Sequence, residues 1–375
     1  MSVERPLGRV RPAWISVDLD AVTHNVGRIA ALVAPAAVCA VVKANGYAHG
    51  AAPVAAAALA GGATVLAVAL VEEGGELRQA GIDAPILLLS EPLASTFDEV
   101  VACDLRPTLY TPEGVSAAGA AAAAAGRVLA VHLKVNTGMN RVGASPDVIA
   151  ELAVAVARHP NLDLEGVWTH LATADEPARA ETSLQLDRFR RAVEAVLDAG
   201  VEIPLLHAAN SAAALAFPEA RLDLVRPGIA IYGVAPAPGL GDQLDLRPAM
   251  SVLARVSFTK RVGAGERISY GLRHRFARPT NVATVPIGYA DGVPRRLSGR
   301  AEVLIGGVRR RIVGTITMDQ LMVDCGDDPV AIGDEVVLLG EQGSERIDAW
   351  EWAELLDTIA YEVVCGFGPR LPREG

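Results

Sequence analysis

The stretch VVKANGYAHG, residues 41–50, places a lysine at the end of an apolar run that is typical of a buried strand. An Asn-Gly pair, which favours a tight turn, follows Lys43 after one residue, and Tyr47 comes next. Most lysines lie in solvent, so a lysine at the end of a buried strand needs a specific reason. The pattern of the surrounding chain decides which fold places it there.

Eight short apolar runs alternate with helical patterns over the first two thirds of the chain. The runs are VCAVVKA, TVLAVAL, PILLLS, LRPTLY, VLAVHLKV, LEGVWTHL, LLHAAN and LDLVRPG. They are rich in β-branched residues and show no alternation, as expected of parallel strands buried on both faces. Eight such repeats predict an α/β fold with a TIM-type (β/α)8 barrel over residues 1–240. An open doubly wound sheet is less favoured, because no G-x-G-x-x-G follows the first run.

The pattern changes after APAPGLGDQLDLRP, residues 235–248, whose Pro and Gly content indicates a linker. Strand patterns separated by Gly-containing turns then predict a mostly β C-terminal domain over residues 241–375, with one helix near its end. Before the barrel, AWISVDLDAVTHNVGRIAALV (residues 13–33) predicts an edge strand and an amphipathic helix.

The composition excludes several classes of protein. A hydrophobic content of 51% with 21% charged residues allows a sizeable core, and the net charge of −10 opposes nucleic acid binding. The four cysteines lie far apart, without metal-ligand spacing, so we expect no metal site and a reducing cytoplasm. The N-terminus lacks the apolar core of a signal peptide, and no run is long enough for a membrane span.

Polar side chains stand at five of the eight predicted strand ends. Barrel enzymes carry their active sites at these carboxyl ends. The residues are Lys43, Lys134, Arg141, His170, His207, Asn210, Ser211 and Arg226, and Gly228 comes two residues after Arg226. A lysine amine at a rigid strand end can bond covalently to an aldehyde cofactor, and NSAAAL offers a hydroxyl and backbone N–H groups for a phosphate. Together these features predict pyridoxal 5'-phosphate (PLP).

An ordered set of motifs resembles the alanine racemase family. The motifs are AVVKANGYAHG, HLKVNTGMNRVG, THLATAD, HAANSAAAL, VRPGIAIYG, ISYG, IGYADG, TMDQ and YEVVCGFGPRLPR. They occur in order between about residues 14 and 373, and the set is far more specific than any one of them. The resemblance implies a cytoplasmic PLP-dependent isomerase, a homodimer with shared active sites, that interconverts L-alanine and D-alanine and supplies D-alanine for peptidoglycan.

The resemblance also implies roles for individual residues. Lys43 would hold PLP and act as the base on the D side, and Tyr270 of the other subunit would be the base on the L side. Racemisation needs two such groups on opposite faces of the α-carbon. Arg226 would face the pyridine nitrogen and keep it unprotonated, His207 would hold Arg226, and His170 would hydrogen-bond Tyr270.

The remaining implied residues surround the cofactor and the entrance. Arg141 would bind the cofactor's phenolic oxygen and assist at the substrate carboxylate, to which Met318 would give a backbone N–H. Lys134 matches the position that can become N6-carboxylysine. The phosphate would be bound by Tyr47, Asn210, Ser211, Gly228, Ile229 and Tyr361. Tyr289 and Tyr361 would narrow the entrance, and Asp319 would line it.

Two departures and several alternatives accompany this interpretation. Thr317 replaces a common cysteine before MDQ, and Ala48 replaces a common glycine. Structurally, Tyr270 could be a core tyrosine of the β domain, Lys134 could pair with an acid, and His49 is expected to be loop structure. Functionally, the alternatives are a racemase that also accepts serine, a non-enzymatic PLP-binding protein and a PLP decarboxylase. A decarboxylase would call for an acid where Arg226 stands.

Overall fold

The computed structural model describes residues 11–375 and divides them into two units. One unit is Leu19–Arg247, and the other is Pro248–Gly375 together with the described residues up to Asp18. The first ten residues, on which the predicted absence of a signal peptide mainly depends, lie outside the described part of the chain.

The division differs from the predicted boundary after residue 240. Residues 241–247 belong to the first unit because Asn25 ties them to it. The Asn25 amide donates to the Arg247 carbonyl at 2.8 Å, and its oxygen accepts from the Arg247 N–H at 2.8 Å. A segment rich in proline and glycine can therefore belong to a folded unit when a buried side chain forms hydrogen bonds with its backbone N–H and carbonyl groups.

The N-terminal strand β1 (Ala13–Val17) belongs to the second unit, and the expectation of an edge strand before the barrel is wrong. β1 pairs antiparallel with Met250–Arg255 on one side and parallel with Arg373–Glu374 on the other. Four of its five residues are buried, which an inner strand requires. Its partners lie more than 230 residues away in the sequence, so local patterning could not identify them.

Eight parallel strands form the barrel of the first unit. They are β2 (Ala37–Val41), β3 (Val65–Val68), β4 (Ile86–Leu88), β5 (Thr108–Leu109), β6 (Leu129–Lys134), β7 (Leu162–Trp168), β8 (Leu205–His207) and β9 (Leu224–Val225). The pairing order is β4-β3-β2-β9 in one sheet and β5-β6-β7-β8 in the other. Parallel bridges Leu87–Arg106 and Asn210–Arg226 join the two sheets into a ring. The predicted barrel is confirmed.

One helix of the first unit leads into the first barrel strand, and the others lie between barrel strands. They are α1 (Leu19–Val33), α2 (Lys43–Tyr47), α3 (Ala51–Ala60), α4 (Val71–Gln79), α5 (Phe97–Ala102), α6 (Pro112–Ala124), α7 (Ile149–Arg158), α8 (Glu181–Asp198) and α9 (Ser211–Ala216). The alanine-rich tract forms α6, whose N-cap Thr111 accepts from the Gly114 N–H at 2.9 Å. No helix within residues 11–375 combines the length and the apolarity that crossing a membrane requires.

The second unit is mostly antiparallel β, as predicted. Its further strands are β10 (Met250–Arg255), β11 (Phe258–Val262), β12 (Arg267–Ile268), β13 (His274–Arg275), β14 (Thr280–Val285), β15 (Glu302–Ile305), β16 (Val308–Val313), β17 (Leu321–Asp324), β18 (Glu335–Gln342), β19 (Glu345–Ile347) and β20 (Arg373–Glu374). The main sheet runs β11-β14-β17-β16-β15-β18-β10-β1-β20, and β19 pairs with β18. Helices α10 (Ala349–Leu356) and α11 (Ala360–Cys365) precede its last strand.

Candidate active site

The chain after β2 forms a left-handed turn in place of the expected tight Asn-Gly turn. Five consecutive residues, 44–48, have φ between 50° and 66°, and only Gly46 lacks the Cβ that makes this conformation costly. Ala44, Tyr47 and Ala48 each cost about 1–2 kcal/mol, whereas asparagine, as at position 45, tolerates this conformation better. Lys43 lies immediately before this turn and is half-buried.

Three side chains stabilise the strained turn. The Glu73 carboxylate accepts from the Ala44 N–H at 2.6 Å, and its other oxygen accepts from the backbone of the loop before α4. Asn45 accepts from the Ala51 N–H at 2.9 Å, and His49 Nδ1 donates to the Tyr47 carbonyl at 2.8 Å. His49 thus acts in the loop, as expected. Sequence reasoning missed Glu73, which stands in α4, about 30 residues from the turn.

Arg226 carries a buried positive charge at the exit of β9. Its side chain is 3% exposed and donates to the carbonyls of Thr169 (2.8 Å) and Ala208 (3.1 Å). It also donates to Nδ1 of His207 at 2.9 Å and to Nδ1 of His170 at 3.3 Å. Burial lowers the pKa of Arg226 to about 10, so the guanidinium is still charged at neutral pH.

A chain of hydrogen bonds leads from Arg226 to the Glu165 carboxylate. Because a guanidinium only donates, His207 Nδ1 must accept, and its Nε2–H then donates to His132 Nδ1 at 2.9 Å. His132 Nε2 in turn donates to Glu165 at 2.9 Å, and Arg106 pairs with the same carboxylate at 2.6 Å. Burial lowers the pKa of both histidines, so both are neutral, each in one tautomer.

His132 and Glu165 are functional candidates that sequence reasoning missed. Both lie within strands, and their signal was weak: a histidine two residues before Lys134 and an acid three before Trp168. Only the register between β6 and β7, which pairs His132 with Gly166, brings them together.

Lys134 ends β6 in an unusually dry position. Its side chain is 3% exposed, and its nitrogen lies 4.0 Å from the Trp168 ring centroid and 3.4 Å from the Leu89 carbonyl. Burial lowers its pKa to about 7, helped by the charges of Arg226, Arg141 and Lys43. An acidic side chain is not among these contacts of Lys134, although the sequence left open that Lys134 pairs with an acid.

Arg141 lies on an exposed loop after β6 that Asn136 organises. The Asn136 oxygen accepts from the N–H groups of Gly138 (3.2 Å) and Asn140 (3.0 Å). His170, two residues after β7, has its pKa held well below its ordinary value by burial and then by the charges of Arg226, Lys134, Arg141 and Lys43. His170 is therefore neutral, with Nδ1 accepting from Arg226 and the proton on Nε2.

The exits of β8 and β9 form a cradle for a small anionic group. Ser211 Oγ accepts from the N–H groups of Gly228 (2.8 Å) and Ala230 (3.4 Å), and Asn210 caps α9 through the Ala213 N–H at 2.9 Å. A Cβ at Gly228 would lie 2.5 Å from the Tyr47 hydroxyl, so only glycine lets this backbone approach so closely. Ile229 begins a buried 3-10 turn, Ile229–Tyr232. Hydroxyls, N–H groups and a nearby cation fit the phosphate and ring of PLP.

The β unit carries the other predicted site residues. Tyr270 is 73% exposed and is therefore not a core tyrosine. Tyr289 and Met318 are exposed and lie on adjoining loops, because the Tyr289 N–H donates to the Thr317 carbonyl at 3.0 Å. Tyr361 is half-buried in α11.

Two side chains define the loop around Met318. Asp319 pairs with Arg370 at 2.6 Å. The Thr317 hydroxyl donates to the Gln320 carbonyl at 2.9 Å and accepts from its N–H at 3.1 Å. Thr317, a departure from the family pattern, therefore closes this turn with two hydrogen bonds.

Replacing Glu73 with glutamine tests what stabilises the left-handed turn. The amide would present N–H groups to backbone donors, so we expect a loss of about 1–3 kcal/mol in the free energy of unfolding. Amide exchange at Ala44 should also accelerate. Denaturant unfolding and hydrogen exchange measure both effects, with Glu76→Gln, an exposed change on the same helix, as the control. Equal effects of the two changes would contradict the assignment.

The depressed pKa of Lys134 predicts a pH-dependent stability. Between about pH 7 and 10.5 the unfolded chain binds a proton that the folded chain does not, so stability should rise with pH across this window. The shift from 10.5 to about 7 sets an upper limit of about 5 kcal/mol on that rise, at about 1.4 kcal/mol per pKa unit.

Lys134→Met should flatten the rise, because it removes the titrating group and keeps an unbranched apolar side chain. The measurement is denaturant unfolding of the cofactor-free protein in CO2-free buffer at several pH values. Parallel curves for the variant and the original chain would mean that Lys134 has an ordinary pKa.

Two family models together match most of the chain. The model for the alanine racemase N-terminal domain matches residues 17–236, and the model for the alanine racemase C-terminal domain matches residues 249–375.

Individual proteins are similar over nearly the whole chain. The alanine racemase of Symbiobacterium thermophilum is 49% identical over 368 residues, which cover 98% of each chain. The alanine racemase of Thermobifida fusca is 46% identical over 364 residues, covering 95% of this chain and 96% of that one. A crystal structure of alanine racemase from D-cycloserine producing Streptomyces lavendulae superposes with a TM-score of 0.93, at 42% identity and 97% coverage of both chains.

Proposed function

The chain belongs to the alanine racemase family, as its ordered motifs indicated, and from this premise we propose that it interconverts L-alanine and D-alanine with PLP as its cofactor. The observation that carries the proposal is the buried guanidinium of Arg226, which lies among neutral histidines. It stands at the end of the barrel where the Lys43 strand also ends. β2 and β9 are neighbours in the ring, so Lys43 and Arg226 leave the barrel side by side.

PLP, when bound, supplies an aldehyde that bonds to amines and a ring that accepts the electrons left when an α-proton departs. Lys43 would hold the aldehyde carbon. The phosphate would be bound by Tyr47, Asn210, Ser211, Gly228, Ile229 and Tyr361. The close approach of the Gly228 backbone to the Tyr47 hydroxyl and to the Ser211 hydroxyl supports this placement, since it brings two hydroxyl groups to one point.

Arg226 would donate a hydrogen bond to the pyridine nitrogen and leave it unprotonated. The chain through His207 and His132 supports this role, because both histidines are neutral and neither can readily supply a proton. An unprotonated ring is a weaker electron acceptor, which disfavours transamination as a side reaction. A decarboxylase would profit from the opposite charge at this position, so the same observation weighs against that alternative.

Two bases on opposite faces of the α-carbon would complete the reaction. Nζ of Lys43, set free when the substrate amine takes its place at the aldehyde carbon, would remove or return the proton on the D side, and Oη of Tyr270 from the partner subunit would do so on the L side. His170, with its proton on Nε2, would hydrogen-bond Tyr270. Arg141 and the Met318 N–H would hold the substrate carboxylate, and this requires a homodimer with shared active sites.

Lys134 is proposed to carry a carboxyl group on its nitrogen. A pKa of about 7 leaves much of the amine unprotonated at neutral pH. The free amine can attack CO2 and lose a proton to solvent, which gives a carbamate. The resulting negative charge would offset the cations around it and orient Arg141.

The entrance residues Tyr289, Tyr361 and Asp319 favour a small side chain, so alanine is the proposed substrate. Serine is the next candidate, because one added group changes discrimination by only about 1–3 kcal/mol. The proposed biological role is cytoplasmic supply of D-alanine for peptidoglycan. A PLP-binding protein without enzymatic activity is disfavoured, because the family models match both the barrel and the β domain.

Deuterium exchange tests the two-base assignment. In deuterated buffer, Tyr270→Phe should slow racemisation in both directions while α-deuterium still enters D-alanine through Lys43. Lys43→Ala should abolish turnover. Proton NMR measures exchange and optical rotation measures racemisation, with L-serine and L-arginine compared as substrates.

Racemisation by Tyr270→Phe at the rate of the original chain would refute the assignment of Tyr270. Retained cofactor with no α-proton exchange on any amino acid would favour the non-enzymatic alternative, and CO2 release from arginine would favour the decarboxylase.

A further inference from the structure

The segment that carries Tyr270 has an unfavourable backbone conformation. Ser269 has φ 63° and ψ −177°, a region that residues with a side chain rarely adopt. Gly271 and Leu272 also have positive φ, 76° and 46°. Such a conformation persists only where surrounding contacts impose it.

Two hydrogen bonds between this segment and Thr315 impose it. The Thr315 hydroxyl donates to the carbonyl of Tyr270 at 2.9 Å. In the reverse direction, the Ser269 hydroxyl donates to the Thr315 carbonyl at 2.6 Å. Thr315 is only 5% exposed, so water does not compete strongly for these bonds. The pair holds the backbone on both sides of the Tyr270 Cα atom.

Gly314 allows the two segments to approach this closely. It has φ +71°, and a Cβ there would lie 2.9 Å from Ser269 Cβ and 3.2 Å from the Ile268 carbonyl oxygen. Gly314 follows β16 directly, and β16 pairs with β17 through Ile312 and Val313. Thr315 is therefore fixed to the main sheet, while the Tyr270 phenol projects from an otherwise exposed turn.

We propose that Thr315 is a positioning residue for Tyr270. Its hydroxyl fixes the backbone from which the phenol projects, and so fixes the direction from which the phenol reaches the L side of the α-carbon. The proposal rests on the proposed function, in which Tyr270 is the base on that side.

The same segment also bears Met318, three residues after Thr315. Its loop is joined to the Tyr289 loop by Ala290 N–H, which donates to the Met318 carbonyl at 3.0 Å. Thr315 thus links Tyr270, the proposed base, to the segment that carries Met318, whose N–H is the proposed donor to the substrate carboxylate. Loss of its hydroxyl should change the position of the base relative to the substrate, with cofactor binding left intact.

Thr315→Val removes the hydroxyl and keeps the branched shape. In the PLP-loaded enzyme, we expect racemisation to fall about tenfold to hundredfold, the range that a misplaced catalytic group produces. Deuterium uptake into D-alanine, which depends on Lys43, should be retained, so the ratio of exchange to racemisation should rise. Thr315→Ser, which restores the donor, should restore the original ratio.

Thr280→Val is the matched control. Thr280 is also buried in the β unit, and its hydroxyl donates to Asp324 and to the Gly326 carbonyl, away from the Tyr270 turn. It should lower the thermal unfolding temperature without changing the ratio of exchange to racemisation. A general loss of stability is thereby distinguished from a misplaced base.

The outcomes separate this inference from the proposed function. Suppose that Tyr270→Phe slows racemisation but keeps deuterium uptake into D-alanine, and that Thr315→Val behaves like the original chain. The positioning role is then refuted and the base assignment stands. A Thr315→Ser variant as impaired as Thr315→Val would also refute it, because the hydroxyl would not be the cause. If Tyr270→Phe itself racemises normally, the base assignment fails, and the positioning role fails with it.

Discussion

The buried charge of Arg226 is the constraint on which the rest of the barrel site depends. A guanidinium taken out of water must have its N–H groups bonded, and here two carbonyls and two histidine nitrogens accept them. Its charge then acts on every titratable group nearby. Burial, and then this charge, lower the pKa of Lys134, His170 and His207, so the buried guanidinium stands among neutral imidazoles.

This arrangement explains why the chain of hydrogen bonds has one direction. Arg226 can only donate, so His207 must present a bare nitrogen to it, and each following group is fixed in turn up to the Glu165 carboxylate. A single proton arrangement avoids alternative tautomers that would weaken the bonds to Arg226. The acid at the end of the chain is thus kept away from the position where the cofactor ring is proposed to lie.

Both residues proposed to move protons adjoin a strained backbone. Lys43 precedes four non-glycine residues with left-handed φ, and Tyr270 follows Ser269 in a conformation typical of glycine. In each case one side chain from a distant segment stabilises the strain: Glu73 for the first and Thr315 for the second. Strain of this kind is typical of sites where a group must point in one direction.

Buried apolar runs predicted the eight barrel strands and their order, because parallel strands covered on both faces have an unmistakable composition. The polar residues that follow the strands were predicted as site residues because barrel enzymes carry their active sites at the carboxyl ends of the strands. The inner position of β1 and the roles of Glu73, His132, Glu165 and Thr315 could not be predicted, since each depends on pairing between distant segments. The left-handed turn was missed because an Asn-Gly pair also suits an ordinary tight turn.

Subunit complementation tests whether two subunits share each active site. Lys43→Ala and Tyr270→Ala chains would each be nearly inactive alone, and would then be mixed under conditions that let dimers exchange subunits. Half of randomly assorted dimers are mixed and each has one complete site, so we expect about a quarter of the activity of the original enzyme. No gain of activity after verified exchange would contradict a site built from Lys43 of one subunit and Tyr270 of the other.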